Sequence, residues 1–382
     1  MPWKDTTPMR ERAVFIRAWE AEVFDMKELC EHFGVSRKTG YKWVNRYREG
    51  DLESLADRSR APHACPHKTP VDIEAVIIRM KRKHSRWGPK KIIDELHRIQ
   101  PKKIWPAVST AGAILDRAGL VKKRKPRRRW RHPGQPPLKA DRPNELMTVD
   151  FKGEFRLGDK SVCYPLTIQD RFSRYVLTCT ALPSPRLNDV RSAMEQLFRE
   201  VGLPERIRTD NGEPFASHGI SGLTRLNVWW MRLGILHERI DKGCPYQNGA
   251  HERMHQELKA ETTRPPAYRL SGQQLLFDDF VREYNEVRPH EGIEQQRPND
   301  LWAPSPRRYP ERLEEPEYPG HFEVRRVRSG GEMKFKGGMQ FVSQALAGQL
   351  IGLEPLDDGI WSVVFGNTLL GRLDEKRQRI FG

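Results

Sequence analysis

Three carboxylates in this chain of 382 residues have surroundings suited to chemistry: Asp150, Asp210 and Glu252. Asp150 stands in the middle of an otherwise apolar run, LMTVDFKG. A carboxylate there is costly unless it meets a partner or a metal ion. Asp210 closes RIRTDNGEPF, where Asn211-Gly212 forces a turn and leaves the acid at the C-terminal edge of a strand. That edge is where α/β sheets usually carry their sites. Glu252 follows Asn248-Gly249 in QNGAHERMHQELK. Wound as a helix, this segment puts Ala250, Met254 and Leu258 on an apolar stripe that can lie on a sheet. Asn248, Glu252 and Lys259 fall within about 40° of one another on the far side, flanked by His255 and Gln256. The Asn-Gly pair is expected to start the helix tightly against the sheet edge.

Three converging carboxylates can bind two hard divalent cations, Mg²⁺ or Mn²⁺, through oxygen. Such a pair of ions activates an attacking oxygen and stabilises a leaving oxygen in phosphoryl transfer. None of the three residues is diagnostic alone, because a lone buried Asp or helical Glu is more often structural. Their order within one pattern of strands and helices carries the reading. Glu238, Glu257 and Glu261 are rival third carboxylates, but none follows a Gly-x-x pattern at a helix start.

The elements that must position these acids lie in residues 143–304. ELMTVDFKGEF, SVCYPLTIQD and RYVLTCTAL read as an antiparallel meander turning at Gly158-Asp159 and Phe172-Ser173. The helix LNDVRSAMEQLFREVG, the strand ERIRTD, a helix around SGLTRLNVWWMRLG and the strand ILHERI follow. The Glu252 helix and SGQQLLFDDFVREYN come next. Three antiparallel strands and then alternating helix and strand are the order of an α/β ribonuclease H-like sheet.

Around that core the chain reads as multidomain. Residues 1–60 are expected to form an all-α helix-turn-helix domain, with a turn at Gly34-Val35 and an N-cap at Ser36. Leu29, Phe33, Val35 and Trp43-Val44 would fill its core, leaving Arg37, Lys38, Thr39, Lys42, Asn45 and Arg46 for DNA. Residues 61–121 suggest a second helix-turn-helix-like domain, and residues 122–142 a basic linker. Eight of the ten residues 122–131 are Lys or Arg, so Lys122, Lys123, Arg124, Lys125, Arg127, Arg128 and Arg129 read as a tether along phosphates. A nuclear localisation signal is the weaker reading of that run. Residues 305–319 are a Pro-rich linker, and 320–382 are expected to make a small C-terminal SH3-like β-barrel from short strands and glycine turns.

Composition agrees with a DNA-binding front end. Residues 1–142 hold 34 Lys and Arg against 17 Asp and Glu, whereas residues 143–382 hold 33 against 34. The whole excess of the +16 net charge therefore sits in the first third. No apolar run is long enough to span a membrane, and no signal peptide opens the chain. The 5 scattered cysteines fit a reducing cytoplasm. HACPH (63–67) could pass for a zinc site but lacks a second half.

With these motifs in hand, the chain resembles insertion-sequence transposases with an integrase-type DDE catalytic core, the core shared with retroviral integrases. TVDFKG, IRTDNGEPF, CPYQNGAHERMHQELK and YNEVRPHEGIEQQRP occur in family order, and the flanking segments match too. The resemblance implies that Asp150, Asp210 and Glu252 are catalytic metal ligands and that Asn248 and Lys259 face DNA. It implies an enzyme that binds mobile-element ends in double-stranded DNA, frees a 3′-OH and joins it to target DNA. A homo-oligomer, at least a dimer, in the bacterial cytoplasm beside the nucleoid is the matching expectation. Two departures are the 41 residues between Asp210 and Glu252 and the lack of a His-His-Cys-Cys zinc module. A silent DNA-binding regulator and a ribonuclease H-like nuclease are the rival readings. All three carboxylates argue against the first, and two DNA-reading modules against the second.

Overall fold

Local capping sets the first helices. Thr7 accepts from the Arg10 amide at the start of α1 (Pro8–Glu20), and Asp25 and Glu28 form a capping box on α2 (Met26–His32). Ser36 accepts from the Thr39 amide to open α3 (Arg37–Glu49). Gly34, at φ +63°, makes the turn between α2 and α3. Gly40 lets α3 approach closely, since a Cβ there would lie 2.5 Å from Cys30 Sγ. Phe15, Ile16, Leu29, Cys30, Val44 and Leu55 fill the core of this helix-turn-helix unit. The molecule is a computed structural model that describes residues 7–58, 68–121, 140–217, 222–241, 244–357 and 359–381. It divides into two compact units, residues 1–70 and 71–382. HACPH and the basic run 122–131 lie outside the described residues.

The second unit begins with α4 (Val71–Lys83), α5 (Pro89–Ile99) and α6 (Val108–Arg117), closed around Ile77, Trp87, Ile92, Leu96, Ile114 and Leu115. The central sheet follows, with β1 (Leu146–Phe151), β2 (Phe155–Arg156), β3 (Val162–Asp170) and β4 (Val176–Leu182). After α7 (Leu187–Val201) come β5 (Arg206–Thr209), α8 (Arg225–Arg232) and β6 (Leu236–Arg239). β3 pairs antiparallel with β4 on one edge and with β2 and β1 on the other; β5 and β6 then continue parallel to β1. This is the expected ribonuclease H-like order.

Strand alternation sends β1 side chains to two different layers. Met147 and Val149 join Val190, Met194, Phe198 and Trp230 of α7 and α8. Thr148 and Asp150 therefore face the other layer, made by α9 (Gly249–Thr262) and α10 (Leu270–Arg282). Met254 and Leu258 of α9 pack there with Cys163, Val176 and Phe277.

The motif YNEVRPH continues from α10 as a π-turn, Glu283–Val287, and braces this layer. The Asn285 amide accepts from the Val176 N–H and donates to its carbonyl, both at 2.9 Å. After α11 (Pro298–Leu301) the proline-marked stretch runs along the core, with Arg307 donating to the carbonyls of Pro204, Leu233 and Gly234.

The C-terminal segment holds β7 (Glu323–Arg326), β8 (Glu332–Phe335), β9 (Gly338–Phe341), β10 (Leu350–Asp357), β11 (Ile360–Phe365), β12 (Thr368–Asp374) and β13 (Arg379–Phe381). The expected closed SH3-like barrel is not what these pairings make. They give an open five-stranded sheet, β13-β12-β11-β10-β7, and a separate β8-β9 hairpin. The hairpin's Met333 and Phe335 share a core with Leu353, Trp361 and Val363 and with Val228 of α8, so packing rather than ladder closure completes the layer.

Candidate active site

Register places the first two acids. Thr148 on β1 lies opposite Arg208 on the parallel β5. The ladder ends there, and Asp150 and Asp210 each follow two residues later, at the C-terminal ends of these neighbouring strands. Asp210 Oδ1 accepts from the Gly212 N–H at 3.0 Å, and a Cβ on Gly212 would stand 3.2 Å from Oδ2. The Asn-Gly turn thus wraps the carboxylate, while the Asn211 amide donates to the Ile240 carbonyl beyond β6.

Helix α9 is held over these strands by two imidazoles. Thr167, the β3 partner of Asp150, donates its hydroxyl to the Asp150 carbonyl at 2.9 Å. His251 and His255 each bring Nε2 to that Thr167 oxygen at 2.7 Å, and His251 Nδ1 meets the Thr148 hydroxyl at 2.7 Å. With its proton given to the carbonyl, Thr167 accepts from both rings. Burial pushes His251 down to about 3 and His255 down to about 2, so both are neutral. The expected placement of His255 beside the exposed strip is therefore wrong. It lies against the sheet, because Thr167 and Thr148 give the polar rings a buried partner.

Glu252, in the first turn of α9, is exposed. Its charge and that of Asp210 both reach Asp150, whose carboxyl is pushed up to about 7, first by burial and then by these neighbours. Among the described residues no three His, Cys, Asp or Glu groups stand close enough to hold a metal ion as placed.

Asn248 departs from the expected DNA-facing role. A 3₁₀ turn, Pro245–Asn248, starts α9, and Asn248 makes no side-chain cap. It is 7% exposed and donates Nδ2 to Asp150 Oδ2 at 3.4 Å, while its Oδ1 is buried without a partner. A Cβ on Gly249 would meet nothing within 4 Å, so steric approach to the sheet does not explain that glycine. Lys259 is exposed as expected, and its charge acts on half-buried Lys152, which sequence reasoning passed over. The only hint was its place two residues after Asp150.

The rival carboxylates are all engaged by arginines. Glu238 takes Arg206 at 2.7 Å and Arg208 at 2.9 Å. Glu257 takes Arg86 at 2.5 Å and Arg288 at 3.3 Å, and Glu261 takes Arg288 at 2.5 Å. Burial alone would raise Glu257, but the Arg86 hydrogen bond and the Arg288 charge outweigh it and hold the carboxyl below its usual range. On Glu261 burial wins over Arg288, and the carboxyl is raised. Sequence reasoning also missed Thr148, Thr167, His251 and Arg288, which act only through tertiary contact.

In the first unit, Arg37, Lys38, Lys42 and Asn45 of α3 are exposed. Thr39 is half-buried and shares a hydrogen bond with the Ser36 hydroxyl, and Arg46 lies 4.9 Å over the Trp43 ring. Lys122, Lys123, Arg124, Lys125, Arg127, Arg128 and Arg129 fall outside the described residues.

Comparison with known proteins follows this layout. The integrase core domain family matches residues 140–245 and again 233–298. A helix-turn-helix domain matches 11–63, and a homeodomain-like domain matches 39–115. The insertion element IS476 39.2 kDa protein of Xanthomonas euvesicatoria is 24% identical over 294 residues, 75% of each chain. The insertion element IS407 31.7 kDa protein of Burkholderia multivorans is 25% identical over 42% of this chain and 56% of its own. A chain in the structure of a simian T-cell lymphotropic virus intasome in complex with the PP2A regulatory subunit B56 gamma is 19% identical. That match covers 77% of this chain and 97% of the other, with a TM-score of 0.39. So low an overlap leaves the assignment to the sequence matches. Residues 140–298 thus match an integrase core domain, helix-turn-helix modules precede it, and the chain is similar to proteins of insertion elements.

Proposed function

We propose that the chain cleaves a phosphodiester bond at the ends of its own mobile element to expose a 3′-OH, then joins that 3′-OH to target DNA at the same site. The observation that carries this reading is the placement of half-buried Asp150 on β1, Asp210 just past the end of neighbouring β5 and Glu252 in the first turn of α9, with the charges of Asp210 and Glu252 both acting on Asp150. The all-oxygen donor set suits Mg²⁺ or Mn²⁺. Burial and like-charge repulsion, which lift Asp150, are what a bound cation reverses. Asp150, Asp210 and Glu252 would hold the ions, which supply an activated attacking oxygen and a stabilised leaving oxygen. Two ions per site would be held by these three carboxylates.

The other residues do the positioning. Asn248 fixes one Asp150 oxygen, and neutral His251 and His255 pin α9 to the sheet. Lys152 and Lys259 supply positive charge beside the acids for a DNA backbone. Residues 1–131 address the element end, through Arg37, Lys38, Thr39, Lys42, Asn45 and Arg46 of α3 and through the basic run 122–129. Residues 143–304 do the chemistry, and 320–382 are an accessory contact. Joining two ends in concert requires at least two copies.

The test is incubation of the protein with end-bearing DNA and Mg²⁺ or Mn²⁺. Joined products are expected. Nicked products alone would make the chain a hydrolase, and binding without cleavage would make it a regulator.

A further inference from the structure

A cleft of about 920 Å³ lies within the second unit, between the α4–α5 loop and one face of α9. Its α9 wall is Arg253, Glu257, Ala260 and Glu261; Lys81, Lys83, Arg86 and Lys91 line the α4–α5 side, and Val121 also lines it. The basic run 122–131 follows Val121 directly in sequence. Internal pairing uses up most of the acids in the lining. Glu257 and Glu261 hold Arg86 and Arg288, and Glu283 meets His84 at 3.0 Å.

What is left over is cationic. Lys81 donates its Nζ to the Ser85 and Trp87 carbonyls, which point it at the loop. Lys83, Lys91 and Arg253 donate to no acceptor among the described residues, and Glu291 is the one lining carboxylate without an ion pair there. Buried Arg288 contributes an Nε that has no acceptor either. Lys91 is half-buried and held down to about 8, first by burial and then by the charge of Arg288. An anion in the cleft relieves both effects.

Arg253 follows Glu252 on α9, so one end of the cleft lies beside the helical turn that carries Glu252, and the other lies against the helices of residues 71–121. From Arg253 to Glu261 the α9 wall runs about 12 Å. One strand of B-DNA carries a phosphate every ~3.4 Å along the axis, so a few phosphates fit along it.

We propose that this cleft is a phosphodiester track, in which Lys91 and Arg253 neutralise backbone phosphates of the DNA strand leading to Glu252. The proposal rests on the reading of the chain as DNA-acting, and it adds the route the strand takes. The partner is recognised by charge and spacing, so the track carries no sequence preference of its own.

The experiment measures binding of the full chain to end-bearing duplex against salt concentration, for wild type, Lys91→Gln, Arg253→Gln and Glu291→Gln. The slope of log K against log salt should fall by about 0.9 for each lost cation. The ratio of end-bearing to random duplex affinity should stay as it is. Glu291→Gln, which removes only negative charge, should tighten binding severalfold at low salt. A steep wild-type slope that Lys91→Gln and Arg253→Gln leave unchanged overturns the track alone. A wild-type chain with no affinity for DNA overturns the track and the DNA-acting reading together.

Discussion

Arg288 spans two carboxylates of the helix that carries Glu252, reaching Glu261 at 2.5 Å and Glu257 at 3.3 Å with its side chain only 4% exposed. Arg86, from the loop after α4, holds the same Glu257 at 2.5 Å. Helical periodicity alone leaves Glu257 outside the Asn248, Glu252 and Lys259 strip and makes it look inert. In the folded chain it is an anchor of α9. Arg288→Met should lower stability by about 3–5 kcal/mol, since it leaves two partly buried glutamates facing each other. Arg288→Lys should recover only part of that, because an ammonium lacks the fork that meets both acids. Urea unfolding of the full chain checks both values, and a wild-type midpoint for Arg288→Met would show that the fork holds nothing.

Asn248 supports Asp150 without being charged. Asn248→Ala removes the Nδ2 contact to Asp150 and with it a buried Oδ1 that has no partner. Losing the orphan atom offsets part of the lost bond, so stability should change by less than about 1 kcal/mol. Mn²⁺ affinity should still drop by about tenfold, the scale for a lost supporting contact to a metal ligand. Calorimetric titration of Mn²⁺ decides it, and unchanged affinity would make Asn248 a bystander.

Acid should unfold the protein partly through His290. The ring is 8% exposed, donates Nε2 to the Tyr284 carbonyl, and is pushed down to about 3, chiefly by burial. Its folded pKa is below the unfolded value of about 6.5, so the unfolded chain takes up the proton first as pH falls. Stability linked to this group is complete above pH ~6.5 and drains away toward pH ~3, by about 2 kcal/mol at pH ~5. His290→Gln should flatten that part of the profile in denaturant titrations across pH. An equal slope in the variant would place the loss elsewhere.

On α3, Lys42 and Asn45 are both exposed but should fail differently. Lys42→Ala should weaken end-bearing and random duplex alike and lower the salt slope by about 0.9. Asn45→Ala should cost about 1–3 kcal/mol on end-bearing duplex only, if its amide reads a base edge. Equal losses on both DNAs from Asn45→Ala would reduce α3 to a basic clamp.

The strand meander, the helix-turn-helix turn at Gly34 and the order of the acids were legible because each leaves a local mark. β-rich apolar runs show β1 and β3, Ser36 shows the start of α3, and Asn211-Gly212 shows the end of β5. Side-chain partners left no such mark. His255 sits at a helical angle close to the exposed strip, and only Thr167, 88 residues earlier, draws it onto the sheet. Asn248 reads as a helix opener, yet its partner is Asp150. The C-terminal strands were visible one by one. Whether they close depends on pairing between distant strands, which glycine turns do not encode.

Of the three acids in the proposed chemistry, Glu252 is the most directly testable. Glu252→Gln keeps the size of the side chain and the helix but removes one negative charge from the carboxylate group. Joining of end-bearing DNA with Mg²⁺ should fall by roughly three orders of magnitude or more. Affinity for that DNA should hold within about twofold, since the reading helices lie elsewhere. Asp150→Asn and Asp210→Asn should match it, and pairs of these substitutions should add little, because the three act as one unit. An active Glu252→Gln, beside a Glu257→Gln or Glu261→Gln that folds and binds DNA but cannot join it, would contradict the assignment and move the third ligand along α9.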